Sequence, residues 1–330
     1  MALAVALGGA WLALRPQPAG LSPPGQVAVV PPLPQPGPRA GAPAFAIRDA
    51  SEAEILENRD GGLVIFRFRP NPRILVLDFA DLSEQGRMLN RVAALVEKAG
   101  LPRDRLLDDT ELDAAIRAHG DRPETYYYGH DYSAAALARF FALAERDRVA
   151  LTPQEQMLRL LLAQEGYLQP GALGGIISIP RAGADPFVDL GARATILHHE
   201  LSHGEYFSNP AYAAYARAFW SGVLTEAERA AFIRYLAHED YDPSQEDLMI
   251  NEMQAYLMHT PDRRFFDPGT LGLPVGAVNR LQATFLLGMP AGWLRDGTSV
   301  PPPVEAASAP APASLPASPP PAKARGAPAR

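Results

Sequence analysis

Residues 199–203 have the sequence His-Glu-Leu-Ser-His, a spacing of residue types that can hold a metal ion. On a helix, His199 and His203 are one turn apart, so both imidazoles lie on one face and can bind a single zinc ion. Glu200 lies beside them, close enough to accept a proton from a water that the ion activates. The apolar residues between and before these positions predict that the helix is buried.

A third protein ligand is needed, because a hydrolytic zinc site normally combines three protein ligands with one open position. The metzincin pattern would place a glycine at residue 206 and a third histidine at residue 209. These residues are Tyr206 and Asn209, so the metzincin pattern is excluded. Glu205 comes two residues after the second histidine and points towards the other side of the helix. The third ligand is therefore expected further along the chain.

Most of the following acids have structural explanations. Glu226 and Glu228 come after a threonine at the start of an apolar-periodic run, where Thr-x-x-Glu forms a capping box. Asp247 has the same position after a serine at the start of another helix. Glu252 differs, because it lies inside the largely apolar helix of residues 248–258, where a carboxylate is costly to bury without a partner. A zinc ion would supply that partner.

With Asn251-Glu252-Met253-Gln254-Ala255 after the first motif, the chain resembles the gluzincin zinc metallopeptidases, which combine HExxH with a glutamate on a second helix. The resemblance covers about residues 170–260. It implies a zincin-like catalytic domain in which His199, His203 and Glu252 bind Zn²⁺ and Glu200 is the catalytic carboxylate. The 48 residues between His203 and Glu252 exceed the short gap of thermolysin-like members. We therefore expect an extra helical element between the two motif helices.

Composition divides the chain into three parts. Residues 1–43 and 299–330 each carry ten of the 34 prolines, so neither end has the composition of a globular domain. The predicted catalytic domain is 44–298. The whole chain has a net charge of −7, and since the two ends together carry +4, the domain carries −11. An acidic domain argues against nucleic acid as a partner. The absence of cysteine excludes disulfides and thiolate ligands.

The N-terminus predicts export or membrane attachment. Residues 2–14 form an apolar run of the length of a signal-peptide core, followed by Arg15. A Pro-rich linker then extends to residue 43 and could tether the domain to a membrane. We expect an exported or membrane-anchored protein in the periplasm or another extracytoplasmic compartment. Because no basic residue precedes the run, a cytoplasmic location is the alternative.

The domain is expected to be α+β and helix-rich, with a small sheet and a helical C-terminal half. Residues 63–68 and 74–79 predict a β-hairpin around a proline-containing turn. The run 174–180 predicts a strand that is either a substrate-binding sheet edge or an ordinary core strand. The aromatic loop 126–130 could line a cleft or pack in the interior. Helices are predicted at 81–100, 110–118, 133–148, 152–166, 225–239 and 274–287, and from residue 209 onwards.

These patterns predict zinc-dependent hydrolysis of peptide bonds in a peptide or protein substrate, with Glu200 as general base. Tyr256, Tyr241 and His238 are candidates to stabilise the oxyanion, and His198 is assigned to packing or to a hydrogen bond behind the ligands. The alternative is a membrane-tethered, zincin-like binding module without turnover. A di-iron site is excluded, because the chain has no second Glu-x-x-His.

Overall fold

The computed structural model describes residues 45–298. The predicted N-terminal segment with its linker and the predicted C-terminal tail lie outside these residues. Within the described part, the chain has the α+β, helix-rich composition that the sequence predicts. No helix between residues 45 and 298 is both long and apolar enough to cross a membrane. Export or membrane anchoring stays a prediction from the sequence.

The strands of the described part are β1 (Ile47–Ala50), β2 (Val64–Phe68), β3 (Ile74–Phe79), β4 (His130–Ser133) and β5 (Gly175–Pro180). The helices are α1 (Glu52–Leu56), α2 (Leu82–Val96), α3 (Asp109–Ala118), α4 (Ala134–Asp147), α5 (Pro153–Gln164), α6 (Leu190–Ser208), α7 (Pro210–Gly222), α8 (Glu226–His238), α9 (Glu246–His259), α10 (Ala277–Gly288) and α11 (Trp293–Gly297). A short 3-10 helix covers Pro268–Leu271.

The strands form one mixed sheet in the order β1-β2-β3-β5-β4. Strands β2 and β3 are the predicted antiparallel hairpin, while β3 and β5 run parallel. The hypothesis that residues 174–180 form a sheet edge is wrong, because β5 lies between β3 and β4. All six residues of β5 are buried, as is typical of a strand covered on both faces. The edge next to the motif helix is β4, which pairs antiparallel with β5.

Helices cover both faces of the sheet. Helices α2, α4 and α5 pack on the face that carries Leu75 and Leu77 of β3, whereas α1 and α6 pack on the face that carries Val76 and Ile177. Successive residues of β3 therefore enter different cores, because side chains alternate along a strand. Helices α7 to α10 build a third core, which includes four aromatic side chains of α7: Tyr212, Tyr215, Phe219 and Trp220. The extra element expected between the motif helices consists of α7 and α8.

A buried ion-pair cluster fixes the start of α6 against the sheet. Arg193, in the first turn of α6, is fully buried and binds both carboxylate oxygens of Asp78 on β3, at 2.8 and 3.0 Å. Arg181, just after β5, binds the same carboxylate through Nε at 3.1 Å. Helix α6 is therefore anchored by charge as well as by apolar packing, which sets the position of the residues it carries.

Replacing Asp78 by alanine tests this anchor. The change leaves Arg181 and Arg193 without their shared counter-charge, so we expect the free energy of unfolding to fall by about 3–5 kcal/mol in urea denaturation. The matched control is Arg48→Ala, which removes an ion pair with Asp60 whose side chains are 58% and 52% exposed. That loss should stay below about 1 kcal/mol. Equal effects of the two changes would contradict a structural role for the buried cluster.

Candidate metal centre

Helices α6 and α9 bring the predicted ligands together. His199 and His203 lie on α6, and their Nε2 atoms are 3.1 Å apart. Glu252 lies on α9, and its Oε2 is 3.8 Å from Nε2 of His203. Two atoms bound to one tetrahedral zinc ion at its usual ligand distances are about 3.3 Å apart. The three side chains therefore converge at a spacing that fits a single ion.

Burial adds a second argument that these residues fit a cation. His203 and Glu252 are 0% and 1% exposed. Oε2 of Glu252 and Oε2 of Glu200 are buried without a hydrogen-bond partner. Leaving a buried carboxylate oxygen unpaired costs free energy, and a divalent cation between these groups would remove that cost. The donor set of two imidazoles and one carboxylate is one that zinc accepts.

The electrostatics of the cluster also favour a cation. Burial raises the pKa of Glu200 well above its usual range, and the nearby charges of Glu252 and Glu97 raise it further. Burial, with the charge of Glu97, also raises the pKa of Glu252. Burial lowers the pKa of His203 to about 4, which keeps its imidazole neutral, as a metal ligand must be. Positive charge at the centre would oppose both of these effects and favour the ionised form of the two carboxyl groups.

Thr260 fixes the orientation of His199. Its hydroxyl donates a hydrogen bond to the carbonyl oxygen of Ala255 at 2.9 Å. The same Oγ1 lies 2.7 Å from Nδ1 of His199, so it accepts a hydrogen bond from Nδ1–H. The ring is thereby held as the tautomer whose Nε2 lone pair points to the centre. Thr260 could not be identified from the sequence, because it follows α9 directly and belongs to no motif.

Asp131, on the edge strand β4, was also missed. Its Oδ1 lies 3.7 Å from Nδ1 of His203, a buried atom without a hydrogen-bond partner. Ligand atoms of Asp131, Glu200 and His203 all lie within 4.8 Å of one another, as do those of the predicted ligand set. A carboxylate facing the second nitrogen of a ligating histidine orients the ring and raises its basicity. No sequence pattern marks this acid, since only the pairing of β4 with β5 brings it to the site.

Several acids that the sequence assigned to structural roles lie outside the centre. Glu228 forms the predicted capping box with Thr225. The capping role predicted for Asp247 is wrong: α9 begins after Gln245 without a side-chain cap, and Asp247 instead binds Tyr206 and Arg217.

Glu205 and His198 also point away from the ligands. Glu205 is hydrogen-bonded to Asn71 and Trp293 on the opposite side of α6. His198 contacts Glu52 and His259, which agrees with the packing role predicted for it.

A cleft of about 190 Å³ opens onto the centre and is lined by His199 and Glu200. The aromatic loop that precedes β4 lines the cleft, and its Tyr126, 3% exposed, also packs in the core beneath α2, so both of its predicted roles apply. Tyr241 and Tyr256 also line the cleft, and the ring of Tyr256 contacts the His199 ring with centroids 4.9 Å apart. His238 does not line the cleft, and its side chain is 82% exposed, which removes it from the oxyanion candidates.

Gly129 allows Glu200 to approach the loop. A Cβ atom at residue 129 would stand 2.1 Å from Oε1 of Glu200, far inside van der Waals contact. The loop backbone and the carboxylate can therefore lie this close only with glycine at this position.

The chain matches no protein-family model, no curated protein and no solved structure. The function therefore has to be inferred from the residues of this site.

Proposed function

We propose that the protein is a zinc-dependent peptidase of the gluzincin type, with a zincin-like catalytic domain. The observation that carries the proposal is the position of Glu252. This carboxylate comes from a separate helix, with 48 residues between it and the motif, and its Oε2 lies 3.8 Å from Nε2 of His203. One oxygen of this buried carboxylate has no hydrogen-bond partner, which costs free energy if the residue is only structural. Binding a metal ion as its third ligand would remove that cost.

In this proposal His199, His203 and Glu252 hold the ion. Bound zinc would lower the pKa of a water molecule towards neutrality and polarise the peptide carbonyl. Glu200 accepts the proton of the attacking water as the bond between water oxygen and carbonyl carbon forms. It then gives this proton to the leaving amine as the carbon–nitrogen bond breaks. Water is the only co-reactant, and the products are a carboxylate and an amine.

Two tyrosines of the cleft wall are suited to stabilise the oxyanion. Burial raises the pKa of Tyr241 and of Tyr256 well above the usual tyrosine range, so both stay protonated donors at neutral pH. A donor aimed at the developing negative charge contributes most when it is fixed in a site that excludes water. The variants Tyr241→Phe and Tyr256→Phe distinguish the two. Removing the hydroxyl that stabilises the oxyanion should lower kcat and leave the zinc content unchanged, whereas removing the other hydroxyl should leave kcat unchanged.

Strand β4 is the proposed binding edge for an extended substrate. Ala134 N–H donates to the carbonyl of Gly174, which makes the even-numbered residues of β4 the hydrogen-bonded partners of β5. The main-chain groups of Asp131 and Ser133 consequently point away from the sheet. A peptide can add there as another strand, with its backbone held beside the metal centre.

Gly129→Ala tests the position of the base. The added methyl group has to displace Glu200, so we expect kcat for peptide hydrolysis to fall about 100-fold or more while bound zinc stays the same. Gly61→Ala is the matched control, since nothing lies within 4 Å of a Cβ at that position. Full activity of Gly129→Ala would show that the carboxylate does not work from the place it occupies here.

The overall proposal is tested with the zinc-loaded full-length chain and a mixture of synthetic peptides, analysed by mass spectrometry. We expect new peptide ends that depend on zinc. A zinc-loaded protein that leaves every peptide intact would favour the binding module without turnover.

A further inference from the structure

The groove along β4 consists of two compartments. The first is the cleft at the metal centre, of about 190 Å³, which reaches β4 at Gly129 and Asp131. The second, of about 360 Å³, follows the strand onwards from Asp131 to Ser133. Both are lined by Asp131 and by Glu97, so they meet opposite the middle of the strand.

A short main-chain link, which we call the crosspiece, lies at this junction. It consists of residues 97–99, just after α2, and residues 240–242, between α8 and α9. Ala99 N–H donates to the carbonyl of Asp240 at 3.0 Å, and Asp242 N–H donates to the carbonyl of Glu97 at 2.9 Å. These two bonds form an isolated antiparallel bridge between Lys98 and Tyr241.

Side chains that follow each of its two segments hold the crosspiece in place. Gln245 Nε2 donates to the carbonyl of Val96 at 3.0 Å. Arg103 binds a carboxylate oxygen of Asp242 at 3.0 Å and the carbonyl of Lys98 at 2.6 Å. The link therefore joins the helical layer on one face of the sheet to the helical C-terminal half.

The lining residues show where the crosspiece passes. Lys98 and Tyr241 line the first compartment, and Val96 and Gln245 line the second. Glu97 and Asp131 line both compartments and are 3% and 9% exposed, so the groove is divided where the crosspiece lies against Asp131.

We infer that the crosspiece restricts cleavage to bonds near a chain end. This inference rests on the proposed peptidase function. An unbroken peptide lying along β4 would have to pass the crosspiece, whereas a chain end can enter one compartment and stop there. Residues 129–131 lie along the first compartment, and strand residues advance by about 3.3 Å each, so a substrate there can extend about three residues before it meets the crosspiece.

The test compares cut positions in long peptides. The zinc-loaded full-length protein is incubated with a mixture of synthetic peptides of about twenty residues, and the products are identified by mass spectrometry. We expect most cuts to lie within about three residues of an end. Cuts spread evenly along the peptides would overturn the inference and leave the peptidase proposal intact, whereas no cuts at all would overturn both.

A loosened variant tests the crosspiece itself. Asp242→Ala combined with Gln245→Ala removes the ion pair with Arg103 and the hydrogen bond to Val96. We expect the share of cuts in the middle of the peptides to rise at least about tenfold, while cuts near the ends continue and show that the variant is folded. An unchanged distribution of cuts in this active variant would contradict the assigned role of the crosspiece.

Discussion

Glu200→Gln should lower kcat for peptide hydrolysis by a factor of about 10² to 10⁴ while the protein keeps its zinc. Glutamine has nearly the same shape as glutamate but cannot accept the proton of the attacking water. The proposed ligands His199, His203 and Glu252 are untouched by this change, so metal content and thermal stability should not fall. Hydrolysis rates and zinc per chain, measured on the same preparations, check both parts.

The control for this variant is Glu226→Gln, which makes the same chemical change at an exposed position in the first turn of α8. Its rate should equal that of the wild type. If Glu200→Gln retained more than a tenth of the wild-type kcat, Glu200 would not be the general base, and the mechanism proposed above would have to be abandoned.

Removing zinc should lower the melting temperature by about 10 °C. A ligand present at about a thousand times its dissociation constant stabilises the folded state by about 4 kcal/mol, and each kcal/mol shifts the melting temperature of a domain of this size by about 2–4 °C. Zinc stabilises the fold because Asp131, Glu200 and Glu252 are buried close together, and burial strengthens the repulsion between their negative charges. Thermal unfolding with and without a chelator measures the effect.

Glu252→Gln supplies the control for the chelation experiment. This variant loses the third ligand, so its melting temperature should no longer respond to the chelator, and its zinc content should be much reduced. The wild type should recover its full stability when zinc is added back. If the chelator left the melting temperature of the wild type unchanged, a metal bound within this cluster would be excluded.

The motif helix could be predicted from the sequence because its geometry is local. Residues four apart on a helix share a face whatever surrounds them, so the convergence of His199 and His203 follows from spacing alone. Glu252 could be proposed because a mid-helix acid among apolar residues needs a partner. The two α-helices between the motifs could be expected from the long gap, although their packing could not.

The sheet edge could not be predicted correctly. Strand β5 is apolar along its length, which is typical of a strand covered on both faces, and this signal outweighs its position just before the motif helix. Strand β4 has the sequence His-Asp-Tyr-Ser and lacks the alternation of apolar and polar residues that marks a half-buried strand. Its partner, β5, comes more than 40 residues later in the chain, so no local pattern records the pairing.

The residues around the ligands were missed for a similar reason. Thr260 and Asp131 act on His199 and His203 through contacts between distant segments, at 2.7 and 3.7 Å. No spacing in the sequence marks single polar residues of this kind, so only the folded chain identifies them. The bridge between Lys98 and Tyr241 is equally non-local.

X-ray absorption at the zinc edge of the zinc-loaded protein is the most direct test of a joint site formed by His199, His203 and Glu252. We predict one zinc per chain, with two imidazole nitrogens and at least one oxygen at about 2.0–2.2 Å, and loss of this signal in Glu252→Gln. A coordination sphere without imidazole, or an unchanged spectrum in the variant, would contradict the account.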